Sequence, residues 1–465
     1  MREAHFHRSW IRARILHDGT WGADRGMVPP MGKRRADWPA PRAAIGAPAG
    51  YAPSVPDAPA FGPAQNPDAI AFVLRLGRAL HTYGSSAQRL EDVLGRVADR
   101  LGLHGHQFFS TPTSIMAAFG YDHAQRTFLQ RVEPGDVDLG KLARLDAVSV
   151  LVLRGALAPS EGTRAIAEIV AAPPRYGDAV RTLAYGLASA AASRFLGGGL
   201  REALVAGAIG LLLGLLSLLA QRYVALNRIF EPLAAFCASA VAALLARALG
   251  PFSSDIATLA GLIALLPGLT LTIAMTELAT RHLASGTARL SGAFMVFLGI
   301  AFGVALGSRF GSALVGAVPS AVPLPLPAWT GALALLVAPL CYTVILRAEP
   351  GDAKWIVVTG VLAVAGGRVG TIVLGLQLGV FVGSLTVGVA SNLFARLRDR
   401  PSTVTLVPGI LLLVPGSIGF RSLASLLDRK VMAGVETAFA MILTAVALVT
   451  GLLIANVIAP ARREI

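Results

Sequence analysis

The sequence predicts a multi-pass, all-α membrane protein in which about ten transmembrane helices form two inverted five-helix repeats, preceded by a small α+β cytoplasmic domain. Three observations support this prediction. Of the 465 residues, 54% are hydrophobic and only 15% are charged, against about 25% charged in soluble domains. Ten apolar stretches follow residue 179, each near the ~20 residues that cross a bilayer. A nine-residue pattern recurs among them at a fixed spacing.

The charge balance is strongly basic, with a formal net charge of +14. In a membrane protein this is typical of basic loops beside anionic headgroups, so the lipid bilayer is a predicted partner. Aromatic residues make up only 7% of the chain, which argues against a base-stacking surface and a nucleic-acid partner. Cys237 and Cys341 lie in separate apolar stretches, so no disulfide, metal site or cofactor is predicted.

The chain is predicted to begin with a disordered tail over residues 1–66. This segment holds nine prolines and has no apolar periodicity, so it cannot bury enough apolar surface to fold. It contains no uninterrupted apolar run of the signal-peptide kind. Met27 or Met31 is an alternative start.

Residues 67–176 predict an α+β domain, because helical and strand-like patterns alternate there. Apolar residues from Ala69 to Leu80 follow helical spacing. Ser85 and Gln88 form a capping-box pattern that opens a second helix. The predicted elements after the first helix are helices near 86–101, 138–154 and 160–172 and strands near 107–110, 114–119 and 126–132.

The membrane region is predicted to contain two copies of one five-helix unit, over residues 179–310 and 328–458. Residues 260–268 align without a gap on 408–416, at an offset of 148. Equivalent points lie five crossings apart, and an odd number reverses direction, so the copies are inverted, as in many secondary transporters. The ten stretches lie at about 180–198, 202–220, 231–249, 256–276, 290–310, 328–346, 355–373, 375–395, 403–423 and 435–458.

The N-terminal domain is predicted to lie on the cytoplasmic side of a bacterial inner membrane. In this orientation eleven Lys and Arg residues lie near helix ends on the cytoplasmic side and eight on the outer side. That difference agrees in sign with the positive-inside rule. The linker to the first membrane helix, residues 173–178, is short, which predicts that the domain acts as a gate or regulator.

Two Pro-Gly pairs inside apolar stretches predict broken helices and a substrate site. Pro267-Gly268 and Pro415-Gly416 occupy equivalent positions in the two copies, and proline removes a helical hydrogen bond. The helix that begins after such a break presents free N–H groups, which favour a carboxylate. A simple kink at each pair is the alternative.

Polar residues follow both breaks. Thr270 and Thr272 in the first copy and Ser417 in the second are predicted to hydrogen-bond a substrate. Arg421 is a candidate for bidentate binding of a carboxylate, with an interfacial anchor as the alternative. Glu277 is a candidate acceptor of a coupling proton, although a position facing the loop is favoured slightly.

The N-terminal domain carries two polar motifs. One contains Ser85, Ser86, Arg89 and Glu91 after a glycine, and the other is the run Thr111-Pro112-Thr113. The domain also contains a further set of polar residues: His104, His106, Asp122 and His123. Their spacing matches no metal-ligand motif, so they are predicted to be solvated loop side chains.

Three segments are similar to the threonine/serine exporter family. Residues 84–91 (GSSAQRLE) and 109–115 (FSTPTSI) resemble the N-terminal half of that family, and residues 413–423 (LVPGSIGFRSL) resemble its C-terminal half. The resemblance covers about residues 67–460. It implies a ten-helix exporter of threonine and serine, driven by the membrane potential or proton gradient, with its soluble region in the cytoplasm.

Other functions remain open at this point. Related split systems imply export of a dicarboxylate such as succinate as an alternative. A membrane-embedded hydrolase or a sensor that uses the N-terminal domain is a further alternative, although neither needs two equivalent helix breaks. The predicted partners are a small-molecule substrate and the bilayer, and a homo-oligomer remains open.

Overall fold

The computed structural model describes residues 66–316, 321–413, 416–427 and 429–460. The predicted disordered tail, apart from Asn66, lies outside the described residues, and so does Pro415 of the second Pro-Gly pair.

The N-terminal domain consists of four helices and a small sheet. Helix α1 begins at Pro67, where the Asn66 side chain accepts a hydrogen bond from the Asp68 N–H at 3.0 Å. The strands form an antiparallel sheet in the order β1-β2-β3, and the predicted helices and strands of this domain are confirmed. Their bounds are α1 Pro67–Thr82, α2 Ala87–Arg100, β1 Gln107–Thr111, β2 Ser114–Phe119, β3 Arg126–Arg131, α3 Leu139–Leu153 and α4 Pro159–Ala171.

The rest of the described residues form helices and their connections, with two additional short helical turns at Val224–Asn227 and Pro350–Asp352. The helices are α5 Asp178–Phe195, α6 Leu200–Arg222, α7 Phe230–Leu249, α8 Ser254–Gly261, α9 Gly268–Ala279, α10 Leu283–Val315, α11 Trp329–Ile345, α12 Ala353–Leu374, α13 Leu376–Arg398, α14 Thr403–Leu411, α15 Gly416–Leu427 and α16 Val431–Ile458. The bounds recur at the spacing of the sequence repeat: α9 and α15 begin at 268 and 416 and end at 279 and 427.

Within the described residues, seven segments are long and apolar enough to cross a membrane; six of them centre on one long helix, and the seventh, Thr403–Leu426, covers α14 and α15. They correspond to seven of the ten predicted stretches. The other three stretches differ for identifiable reasons. α5 is polar for a spanning helix, the first Pro-Gly segment is divided between α8 and α9, and α11 has only 17 residues.

The N-terminal domain shares its hydrophobic core with the membrane helices. One cluster of buried side chains includes Phe72 from α1 together with Ala338 and Ile356 from α11 and α12. At the end of α11, the Leu139 N–H donates to the Leu346 carbonyl at 2.9 Å. The domain is therefore hydrogen-bonded to the residue that follows α11.

Candidate functional site

The first Pro-Gly pair interrupts its helix, as predicted. α8 ends at Gly261 and α9 begins at Gly268, and Pro267 occupies the N-cap of α9. The segment between them turns on itself, with the Leu265 N–H donating to Leu262 O at 2.9 Å. Residue 267 and its neighbours are buried, so the break lies inside the protein.

The second segment also comprises two helices, separated by four positions, of which 414 and 415 lie outside the described residues. α14 ends at Leu411 and α15 begins at Gly416. A further proline, Pro408, lies inside α14. Both predicted segments are thus pairs of short helices, and the alternative of a simple kink is wrong at Gly268, because six residues separate α8 from α9.

The two breaks lie against each other. A Cβ atom added to Gly416 would lie 3.3 Å from Leu266 Cβ and 3.5 Å from Gly268 Cα. Glycine at 416 therefore allows the starts of α9 and α15 to meet at van der Waals distance. The first N–H groups of a helix lack intrahelical acceptors, so donors of both helices come together in one buried region, apart from the Gly268 N–H, which donates to Leu266 O at 2.7 Å.

The predicted hydroxyl ligands differ in their availability. The Thr272 side chain is buried, and its hydroxyl donates to Gly268 O at 3.0 Å. This hydroxyl can therefore accept a hydrogen bond from a ligand but cannot donate one without losing its bond to Gly268. Thr270 and Ser417 are half-buried beside the two breaks. Neither hydroxyl has a hydrogen-bond partner among the described residues, and the roles of Thr270 and Ser417 as substrate ligands stay predictions.

Arg421 lies on α15 one turn beyond the break, with its side chain exposed. Its guanidinium has no hydrogen bond or ion pair with any residue that the structure describes. This position is compatible with an interfacial anchor, and the role of Arg421 as a substrate ligand stays a prediction.

Glu277 is fully buried near the end of α9, so the expectation that it faces a loop is wrong. Both carboxylate oxygens accept from Arg289 Nε at 3.1 Å. One oxygen also accepts the Ala87 N–H of the N-terminal domain at 2.8 Å. Glu277 is thus a membrane-helix carboxylate bound to the first turn of α2.

The capping-box prediction for α2 is wrong in its detail. The helix begins at Ala87 with Ser86 as its N-cap, and the Ser86 side chain makes no capping hydrogen bond. Ser85 is buried one residue earlier. The Glu277 carboxylate takes the place of the local cap, because it accepts a first-turn N–H at the positive end of the helix.

Arg89 and Glu91 link the same turn to other elements. Arg89 donates to the Thr403 hydroxyl at the start of α14 at 2.9 Å, and to Asp146 of α3 at 3.1 Å. Glu91 accepts the Ser110 N–H and hydroxyl at 2.8 and 2.6 Å. The first motif therefore joins α2 to α3, to β1 and to the start of α14.

The Thr111-Pro112-Thr113 motif forms the turn between β1 and β2. The Thr111 hydroxyl lies 2.8 Å from the Ser114 hydroxyl, and Pro112 O accepts from His81 Nε2 at 3.0 Å. Burial lowers the pKa of His81, and the nearby Arg289 charge lowers it further. Both effects favour the neutral form of the His81 imidazole.

Sequence reasoning missed four residues of this region: His81, Asp146, Arg289 and Thr403. Arg289 is one of the eleven basic residues counted near helix ends on the cytoplasmic side, and the other three belong to no motif. Arg289 lies 12 positions from its partner Glu277, and Thr403 lies 314 positions from its partner Arg89. No local pattern indicates such pairs.

The described residues contain no group of three or more His, Cys, Asp or Glu side chains that could hold a metal ion. Cys237 and Cys341 are free thiols.

Comparison with known families decides the class of the protein. A threonine/serine exporter family model matches residues 71–311, more than half of the chain, and a second model of the same description matches residues 331–458. The chain belongs to the threonine/serine exporter family. The two matches fall on the two halves in the order that the resemblance implied.

Several fungal membrane proteins are similar to this family member. Pheromone-regulated membrane protein 10 of Eremothecium gossypii is 27% identical over 76% of the chain and 48% of its own length. The Candida albicans protein of that name is 26% identical over 76% of the chain and 33% of its own length. The Kluyveromyces lactis protein is 31% identical over 50% of the chain and 25% of its own length. The chain thus spans about half or less of these relatives, and no solved structure matches it significantly.

Proposed function

We propose that this protein is a secondary-active exporter of threonine and serine that binds its substrate where the two helix breaks meet. The contact between Gly416 and the Leu266–Gly268 segment carries the proposal. Helix starts bind carboxylates through free N–H groups and the helix dipole, and discontinuous helices form the substrate sites of many transporters.

An inverted repeat is part of the proposal, and the N-terminal domain supplies support for it. This domain contacts Glu277 near the end of α9 and Thr403 at the start of α14. The first broken segment therefore runs toward the domain, and the second runs away from it. The two broken segments, which occupy equivalent positions in the sequence, thus run in opposite directions. Inverted copies in an alternating-access transporter have this arrangement.

The substrate is proposed to bind as a zwitterion. The substrate carboxylate would accept hydrogen bonds from the N–H groups beside Gly416 and from the Ser417 hydroxyl. Thr270 would bind the substrate's hydroxyl or ammonium group. Glu277 lies nine residues beyond Gly268, about 13 Å along α9, and is neutralised by Arg289. A coupling role of Glu277 would therefore act through the N-terminal domain rather than through contact with substrate.

The proposed location is a bacterial inner membrane with the N-terminal domain in the cytoplasm. Tyr121 is 58% exposed in a turn of this domain, which makes it a suitable position for a reporter cysteine. A Tyr121→Cys variant is expected to react with an impermeant maleimide only after the cells are opened. Labelling in intact cells would contradict the orientation.

A dicarboxylate such as succinate is the second candidate substrate. The observation that favours succinate is that the N-terminal ends of two helices meet, since the N–H groups of each end can bind one carboxylate. Counterflow of labelled threonine, serine and succinate in proteoliposomes separates the candidates. Exchange of threonine or serine supports the proposal, and exchange of succinate alone supports the alternative.

A further inference from the structure

The motif at the start of α2 contacts both copies of the repeat. In the gate turn, which we define as residues 86–91, Ala87 binds Glu277 of the first copy and Arg89 binds Thr403 of the second. Glu91 lies 3.5 Å from Nε2 of His282, in the loop between α9 and α10. One turn of helix thus spans the ends of the two broken segments.

The N-terminal domain is attached firmly to the second copy. The Leu139 N–H donates to Leu346 O at 2.9 Å, and the Tyr176 hydroxyl donates to Ala348 O at 2.8 Å. Both bonds lie at the end of α11, beside an apolar core that the domain shares with α11 and α12 and also with Ala184, Ala188 and Ala191 of α5. Backbone bonds next to a shared core are costly to break, since buried polar groups would lose their partners.

The gate turn contacts the first copy through two carboxylates, Glu277 and Glu91. Glu277 keeps its ion pair with Arg289 when Ala87 leaves, since Arg289 belongs to α10 of the same copy. Glu91 likewise keeps both bonds to Ser110, which lies in its own domain. Separation therefore leaves no buried carboxylate without a partner, and entering water can solvate the Ala87 N–H.

We propose that the gate turn is the cytoplasmic gate of the exporter: it stays with the second copy and must release Glu277 and His282 for substrate to reach the breaks. This inference rests on the proposed function, because inverted repeats move against each other during alternating access. α9 leads directly from Gly268 to Glu277, so separation at its end opens a path along this helix.

A reversible cross-link tests the gate. In a background of Cys237→Ser and Cys341→Ala, the Glu91→Cys/His282→Cys pair is joined with a short bifunctional thiosulfonate. The cross-linked protein in proteoliposomes is expected to lose at least tenfold in threonine counterflow and to recover with reductant. Unchanged counterflow after complete cross-linking would overturn the proposal.

The matched control is a cross-link on the attached side. Arg144 of α3 pairs with Glu349 of the second copy at 3.9 Å, and both residues belong to the proposed unit that does not separate. The cross-linked Arg144→Cys/Glu349→Cys protein is expected to transport as its uncross-linked form does. Equal inhibition by both cross-links would show that the whole domain must detach, which contradicts a gate fixed to the second copy.

A second readout does not depend on the substrate. A cysteine at Thr270, introduced into each cross-linked protein, is probed with an impermeant thiol reagent in inside-out vesicles. The Glu91/His282 cross-link is expected to slow labelling at least tenfold, and the control cross-link is expected to leave it unchanged. If no substrate is exchanged but labelling is slowed only by the Glu91/His282 cross-link, the proposed function is wrong and the gate proposal is supported. Equal labelling rates in the two cross-linked proteins would overturn the gate proposal.

Discussion

Glu277→Ala removes the membrane-helix carboxylate that accepts the first backbone N–H of α2. In the parent protein the buried carboxylate accepts the Ala87 N–H at 2.8 Å and pairs with Arg289 at 3.1 Å. The variant leaves this N–H without its acceptor and Arg289 without its partner. We expect the first turn of α2 to separate from α9 more often than in the parent.

The size of this effect follows from the kind of bond that is lost. A hydrogen bond to a charged acceptor contributes about 1.5–3 kcal/mol. At about 1.4 kcal/mol per factor of ten, local opening of the first turn should rise about tenfold to a hundredfold. Glu277→Gln keeps an acceptor oxygen, and a neutral bond contributes about 0.5–1.5 kcal/mol. Its effect should therefore be about half as large in free energy.

Amide hydrogen exchange of peptides covering residues 85–91 measures this opening directly. Glu202 supplies a matched control, since it is also buried in a membrane helix and accepts two N–H groups, from Gly199 and Ser253, at 2.9 Å each. Glu202→Ala should leave exchange at 85–91 unchanged. Parent-like exchange in Glu277→Ala, or an equal rise in both variants, would refute the reasoning.

Three further predictions concern the breaks, the histidine and the arginine. Gly416→Val adds methyl groups at a 3.3 Å contact and should lower counterflow at least tenfold, whereas Gly292→Val, in open space, should not; equal rates would contradict the contact. Because burial lowers the pKa of His81 below 6.5, its stabilising effect is present above about pH 6.5 and lost as pH falls through the lowered value. The parent should therefore lose more thermal stability between pH 7.5 and 5.5 than His81→Gln; equal losses would exclude this linkage. Arg421→Lys should weaken apparent substrate affinity about tenfold to a hundredfold if the guanidinium binds a carboxylate, and unchanged affinity would identify an interfacial anchor.

The elements that local chemistry controls could be predicted from the sequence. The residues from Ala69 to Leu80 follow helical spacing because they cover one core, and Ala69, Phe72 and Leu76 are all buried in α1. Pro267 removes a hydrogen bond wherever it stands, so the break before Gly268 could be predicted without knowledge of its neighbours.

The interface could not be predicted, because its partners are remote in sequence. Ser85 and Gln88 fit a local capping rule, yet the acceptor at the start of α2 is Glu277, 190 residues away. The burial of Glu277 has the same origin, since both Arg289 and the N-terminal domain cover it. A local pattern describes what a helix end needs, and tertiary packing decides which side chain provides it.

Counterflow by the purified full chain tests the central claim most directly. Proteoliposomes loaded with unlabelled threonine are placed in labelled threonine, serine or succinate, with protein-free vesicles as the control. We predict transient accumulation of labelled threonine and serine above the control level. Accumulation of none of the three, or of succinate alone, would contradict the assignment of this protein as a threonine and serine exporter.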